Sequence, residues 1–79
     1  MKVELSELKD ILGDVFSNST IPKNIQNLKM GDFEEWDSLG NFNLLLAVEE
    51  RLSVRFNMEA MASIKSIQDL VIYLESYSA

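Results

Sequence analysis

The chain predicts an all-α fold: a four-helix bundle of three main helices plus a short third helix, with a long loop between helices one and two. Three observations predict it. Apolar residues recur at helical spacing in three stretches, roughly Val3 to Phe16, Ser38 to about Val54, and Ile67 to about Tyr77. Only 3 Gly and 1 Pro punctuate 79 residues, too few for a sheet full of turns. A composition of 47% hydrophobic and 25% charged residues belongs to a globular chain and not a disordered one. This length makes one small domain, residues 1–79, and the absence of cysteine leaves packing alone to hold it.

In the first helix, Leu5, Leu8, Ile11, Leu12, Val15 and Phe16 gather on one side, with Glu4, Lys9 and Asp14 elsewhere. Gly13 is tolerated inside it at a cost of about 1 kcal/mol relative to Ala. Ser17-Asn18-Ser19-Thr20 ends the helix, because short polar side chains compete for backbone hydrogen bonds. From Ile21-Pro22 to Asp37 no period is sustained. The apolar residues Ile21, Ile25, Leu28, Met30, Phe33 and Trp36 predict a loop pinned across the helices, with a short helical turn near Lys23 to Leu28 and Trp36 as a packing anchor.

Helix two opens at Asp37-Ser38-Leu39. Projected at the helical period, Leu44, Leu45, Val48 and Leu52 face the core, while Leu39, Phe42 and Leu46 lie nearly opposite, with Glu49, Glu50 and Ser53. A helix that packs on one face does not need three large apolar residues on the other. Either the long loop covers them, or they form a docking stripe with an acidic border. Val54-Arg55-Phe56 turns the chain into a short third helix, about Met58 to Ala62, with Met58 and Met61 as adaptable apolar contacts. Ser66-Ile67-Gln68-Asp69 resembles a capping box with Asp in place of Glu or Gln. It opens the fourth helix, buried through Ile67, Leu70, Val71 and Leu74, with Tyr77 at the edge.

The absence of His and Cys removes a histidine general base, a cysteine nucleophile and any Cys/His zinc site. No residue next to Ser38 in sequence activates it as a nucleophile, and Asp32, Glu34, Glu35 and Asp37 do not follow calcium-loop spacing. The expectation is therefore no enzyme and no metal site. A net charge of −6 argues against nucleic acid and anionic membranes; it either favours partners with basic docking patches or simply keeps a small protein in solution. No segment is long enough to span a bilayer, and Met1-Lys2-Val3-Glu4 lacks the apolar run of a signal peptide, so a cytoplasmic protein without membrane insertion is expected. Asp37-Ser38-Leu39 has two readings. Ser and Asp are preferred N-caps. A first-turn serine also sits at the positive end of the helix dipole beside unpaired N–H groups, a place that suits a covalently attached phosphate.

In order and spacing, these features resemble the acyl carrier protein family over nearly the whole chain. They are the helix, the long loop, D-S-L at the start of helix two, L-x-x-A-V-E-E within it, the short third helix and the capped fourth. The resemblance implies that Ser38 carries 4′-phosphopantetheine, donated by coenzyme A, and that Asp37 and Leu39 belong to the signature read by a phosphopantetheinyl transferase. It implies an acyl group held as a thioester and shown to acyl-loading and acyl-using enzymes of a lipid or secondary-metabolite pathway. Glu49 and Glu50 match an acidic pair offered to basic patches on those enzymes, and Leu46 an apolar contact. Phe42, Met58 and Met61 extend the expected partner surface of a monomeric carrier.

The departures from the family pattern are informative. Gly40 and Asn43 stand where fatty-acid-synthesis carriers usually bear acids, Arg51 follows the acidic pair, and Met58, Ala60, Met61 and Ala62 leave helix three poor in acids. Steering by carboxylates is weaker and more of the contact is apolar, as for a specialised carrier with its own partners. Trp36 before Asp37, with Gly40 and Asn41 after Leu39, resembles standalone carriers of dedicated pathways and not the G-G-x-S motif of peptide-synthetase domains. An acyl chain is expected between helices two and three, walled by Ala47, Met58 and Met61. Two further readings stand beside this one: an aminoacyl carrier loaded by an adenylating enzyme, and an unmodified helical interaction module in which Ser38 only caps.

Overall fold

Four helices follow the predicted order: α1 Leu5–Val15, α2 Ser38–Leu52, α3 Met58–Ser63 and α4 Ile67–Ser76. They come from a computed structural model that describes residues 1–77, so the last two residues of the expected 1–79 domain lie outside it. The described residues contain no strand, only one isolated antiparallel bridge between Lys29 and Ser66.

Each boundary has a local cause. Helix α2 ends two residues before the expected Val54 because Ser53 adopts a left-handed conformation (φ 55°), the usual way for a chain to leave a helix. The Ser53 and Val54 N–H groups then both donate to the Glu49 carbonyl. Asn57 caps α3 through its side-chain oxygen, which accepts from Ala60 N–H at 2.7 Å. Ser66 caps α4 as expected, accepting from Asp69 N–H at 3.0 Å. The reciprocal half of the capping box is displaced. Asp69 is too short to reach the Ser66 N–H and accepts instead from Lys65 N–H at 3.2 Å.

One core unites the helices and the loop. Leu8, Ile11, Leu12 and Phe16 of the α1 region meet Leu44, Leu45 and Val48 of α2, Ala60 of α3, and Ile67, Leu70 and Leu74 of α4. Four positions of the expected stripes fall outside it, Val15 among them as a half-buried residue at its edge. Leu5 is exposed on the first turn of α1, and Val71 is only half-buried at the edge of the core. Leu52 is half-buried in the same way.

The loop is held at many points. Ile25 and Trp36 are buried in the core, and Leu28, Met30 and Phe33 pack against it. The expected helical turn from Lys23 to Leu28 is a single tight turn, closed by Leu28 N–H on the Ile25 carbonyl at 3.0 Å. Six residues that include two asparagines are too few and too poor in helix propensity to propagate a helix. The loop instead pairs with the α3–α4 connection, through Met30 N–H on Lys65 C=O (2.8 Å) and Ile67 N–H on Leu28 C=O (3.0 Å). A second turn is closed by Asp32, which accepts from the Lys29 N–H and from its ammonium. Those two bonds, the backbone one first, hold the Asp32 carboxyl below its ordinary pKa. Glu35 ties the loop to the end of α1, accepting from Asn18 N–H (3.1 Å) and the Ser19 hydroxyl (2.7 Å).

Candidate functional site

The start of α2 is built from both sides of Ser38. Asp37 is the N-cap: its backbone is extended, its Oδ1 accepts from Gly40 N–H at 2.8 Å, and its carbonyl accepts from Asn41 N–H at 2.8 Å. The second is the first regular bond of the helix; of the four N–H groups that a helix start leaves over, the side-chain bond satisfies that of Gly40. Those of Ser38 and Leu39 point out of the helix end, next to the positive pole of a 15-residue helix. Ser38 is the first helical residue and is exposed, and among the described residues its hydroxyl makes no hydrogen bond. The capping duty in D-S-L therefore falls to Asp37.

The loop presses against the same turn. A Cβ built on Gly40 would lie 2.0 Å from the Glu35 carbonyl oxygen and 3.1 Å from the Phe16 ring. Gly40 thus has a packing reason to be there, independent of the acid it replaces in the resemblance: the loop backbone crosses the helix where no side chain fits. Asn41, one residue on, is buried and doubly bonded, to the Trp36 indole and to the Ile64 carbonyl. Trp36 is 1% exposed and stacks on Phe16 with centroids 5.5 Å apart, so it is the packing anchor expected of it.

The outward face of α2 is not covered by the loop, which overturns one of the two explanations for its apolar stripe. Leu39 is 68% exposed, Phe42 48% and Leu46 42%, and Met58 of α3 is 89% exposed. Contiguous exposed side chains of this size are unusual on a surface without a partner. The two acids bordering the stripe differ. Glu50 is exposed, whereas Glu49 is half-buried and its Oε2 accepts from Phe56 N–H at 2.8 Å, pinning the α2–α3 connection. Arg51, on the next position, reaches across to an ion pair with Asp14 of α1. Met61 is also half-buried and packs against the core.

Two concavities lie away from the expected acyl site. One, about 660 Å³, runs between the start of α1 and α4, lined by Val3, Leu5, Val71 and Ile72 among others. A smaller cleft of about 250 Å³ lies beside the start of α2, between Val15, Phe16, Glu35, Asp37, Leu39, Gly40 and Asn43. Neither is walled by Ala47, Met58 or Met61. Ala47 and Met61 pack against the core and Met58 is exposed. Among the described residues there is no cluster of acids that could hold a metal ion, and no helix is long and apolar enough to cross a membrane.

Asn41, Gly40 and the inward bond of Glu49 had no direct signal in the sequence as structural devices. Each is defined by a backbone group far along or outside its own helix. The hint lay in type: a glycine and an amide in the first turn of an otherwise strong helix both cost helix propensity, and such a cost points to a tertiary use.

Compared with curated proteins, the chain is similar to acyl carrier protein 3 of Ralstonia nicotianae, 35% identical over 40 residues. Those residues are 51% of this chain and 46% of the relative, so the chain spans about half the length of the protein it matches. No family model matches the chain, and no solved structure does. The likeness to an acyl carrier protein is thus a partial one, joined to an all-helical fold of four helices among the described residues.

Proposed function

We propose that the chain is a carrier protein: Ser38 bears a 4′-phosphopantetheine arm, and the outer face of α2 presents the cargo of that arm to partner enzymes. The chain itself is not a catalyst. The observation that carries this reading is the division of labour at the helix start. Asp37 makes the cap, and Ser38 is left exposed with an uncommitted hydroxyl.

The residues present fit the group. The positive end of α2 and the outward N–H groups of Ser38 and Leu39 favour the anionic phosphodiester, and the exposure of Ser38 gives a transferase access to its hydroxyl. When bound, the arm supplies a thiol that holds the cargo as a thioester. The chain's own part is to position and be recognised. Asp37 and Leu39 flank the serine; Leu39, Phe42, Leu46 and Met58 offer apolar contact; Glu50 offers a free carboxylate. Glu49 adds charge from a pinned position, and Met61 packs against the core.

The partial likeness to an acyl carrier protein supports an acyl cargo over an aminoacyl one. The apolar character of the exposed stripe and the shortage of free acids beside it support a dedicated set of partner enzymes in a lipid or secondary-metabolite pathway. In this reading residues 1–79 act as one carrier domain, a monomer in the cytoplasm.

Intact mass tests it. Incubation with coenzyme A, magnesium and a permissive phosphopantetheinyl transferase is expected to add one phosphopantetheinyl group to the parent and none to folded Ser38→Ala. No gain with several transferases, on folded protein not already modified, would return the outer stripe of α2 to a helical interaction module.

A further inference from the structure

Asn41 is the one polar residue buried among the described residues, 6% exposed in a core otherwise made of apolar side chains. Both ends of its amide are used. Oδ1 accepts from the Trp36 Nε1–H at 3.0 Å, and Nδ2 donates to the Ile64 carbonyl at 2.8 Å. The three residues come from three parts of the fold. Trp36 ends the loop two residues before Ser38, Asn41 lies in the first turn of α2, and Ile64 is the C-cap of α3. A satisfied buried amide adds little net stability over an apolar side chain of the same shape. It does fix geometry, because any shift leaves a buried donor or acceptor unpaired. The Trp36 end of this chain of bonds does not swing, since the ring is stacked on Phe16 and lies 6.0 Å from Phe33.

We infer that Asn41 is a positioning residue for Ser38. It holds the serine's turn in register with α3, so that an enzyme modifying Ser38 meets the start of α2 and the neighbouring end of α3 as one preformed surface. This rests on the carrier reading of Ser38 and adds a requirement that the reading alone does not make. A preformed surface spares the ordering cost at the moment of association. Loss of register therefore weakens recognition of the chain and leaves the chemistry of the transferase alone, so its signature is in KM and not in kcat.

The test is steady-state arm transfer from coenzyme A by a phosphopantetheinyl transferase. The substrates are the parent, Trp36→Phe, Asn41→Leu, the double variant, and Ile11→Val as a control for lost packing elsewhere in the core. Trp36→Phe keeps an aromatic ring in the Phe16 stack while removing the indole N–H, so a folded variant is in hand even where Asn41→Leu unfolds. Far-UV circular dichroism verifies the fold of each. KM for the chain is expected to rise about tenfold in either single variant with kcat unchanged, the double being no worse than the worse single. Ile11→Val is expected to match the parent. Amide exchange at Ser38 to Asn41 is expected to quicken in unmodified Trp36→Phe, with no enzyme present. Parent KM in the folded variants, or a loss confined to kcat, would overturn the positioning role and leave the carrier reading standing. A parent chain that takes no arm would overturn both.

Discussion

Asp37 Oδ1 lies 2.8 Å from the Gly40 N–H, and this contact separates the fates of two neighbouring substitutions. Asp37→Ala removes a helix cap and is expected to cost about 1 kcal/mol, within the 0.5–2 kcal/mol range of such losses. Ser38→Ala removes an exposed hydroxyl with no partner and is expected to stay within about 0.5 kcal/mol of the parent. Gly40 inverts the usual rule for helical glycines. Elsewhere in a helix, Gly→Ala gains up to about 1 kcal/mol from backbone entropy. Here the new Cβ would meet the Glu35 carbonyl at 2.0 Å, and backbone cannot swing aside as a side chain does. Gly40→Ala is expected to destabilise the protein by about 1–3 kcal/mol, the scale of overpacking. Chemical denaturation of the three variants checks these expectations, and a stabilised Gly40→Ala would show that the loop does not press on α2.

Helix α2 carries an exposed apolar stripe on one face and its packing on the other, and Glu49 stands between the two. Its carboxylate accepts the Phe56 N–H at 2.8 Å and so holds the turn that leads into α3, while Glu50 has no such tie among the described residues. Glu49→Ala is expected to cost about 1.5–3 kcal/mol, the worth of a hydrogen bond to a charged group, and Glu50→Ala almost nothing. A binding defect in Glu50→Ala then reports on charge at the partner surface, whereas one in Glu49→Ala is read against its melting curve. Equal stability of the two variants would remove Glu49 from the structural role. The helices themselves were legible because Leu8, Ile11, Leu12 on α1 and Leu44, Leu45, Val48 on α2 repeat at the helical period. The D-S-L start and the exposed stripe were legible for the same reason: both follow from position on one helix. The loop was legible only as apolar residues without a period. What seats it (the Glu35 carbonyl over Gly40, the Ile64 carbonyl on Asn41) depends on segments that meet in space but not in sequence.

At the scale of the whole molecule, the question is whether the long loop unfolds with the helices or apart from them. Ile25 is 2% exposed and Trp36 1%, and both belong to the same buried cluster as Leu12, Leu45 and Leu70. A domain of this length has a total stability of about 4–12 kcal/mol. Truncating Ile25 to Ala is expected to cost about 2–5 kcal/mol, as for a buried Ile elsewhere, and so to consume a large share of it. Because the loop shares one core with the bundle, far-UV circular dichroism and Trp36 fluorescence should shift to lower temperature together in Ile25→Ala. Leu46→Asp is the counterpart on the surface. Leu46 is 42% exposed on α2, so the change is expected to cost under about 1 kcal/mol of helix propensity. That is a fall in Tm of roughly 4–8 °C at most, while on the proposed carrier reading use of the chain by partner enzymes is expected to drop. A Trp36 signal that melts ahead of the helical signal in Ile25→Ala would make the loop an independent unit. A collapse of Leu46→Asp on heating would place Leu46 in the core and remove it from the docking face. The two outcomes together decide whether the bundle is one cooperative scaffold with its contact surface laid on the outside.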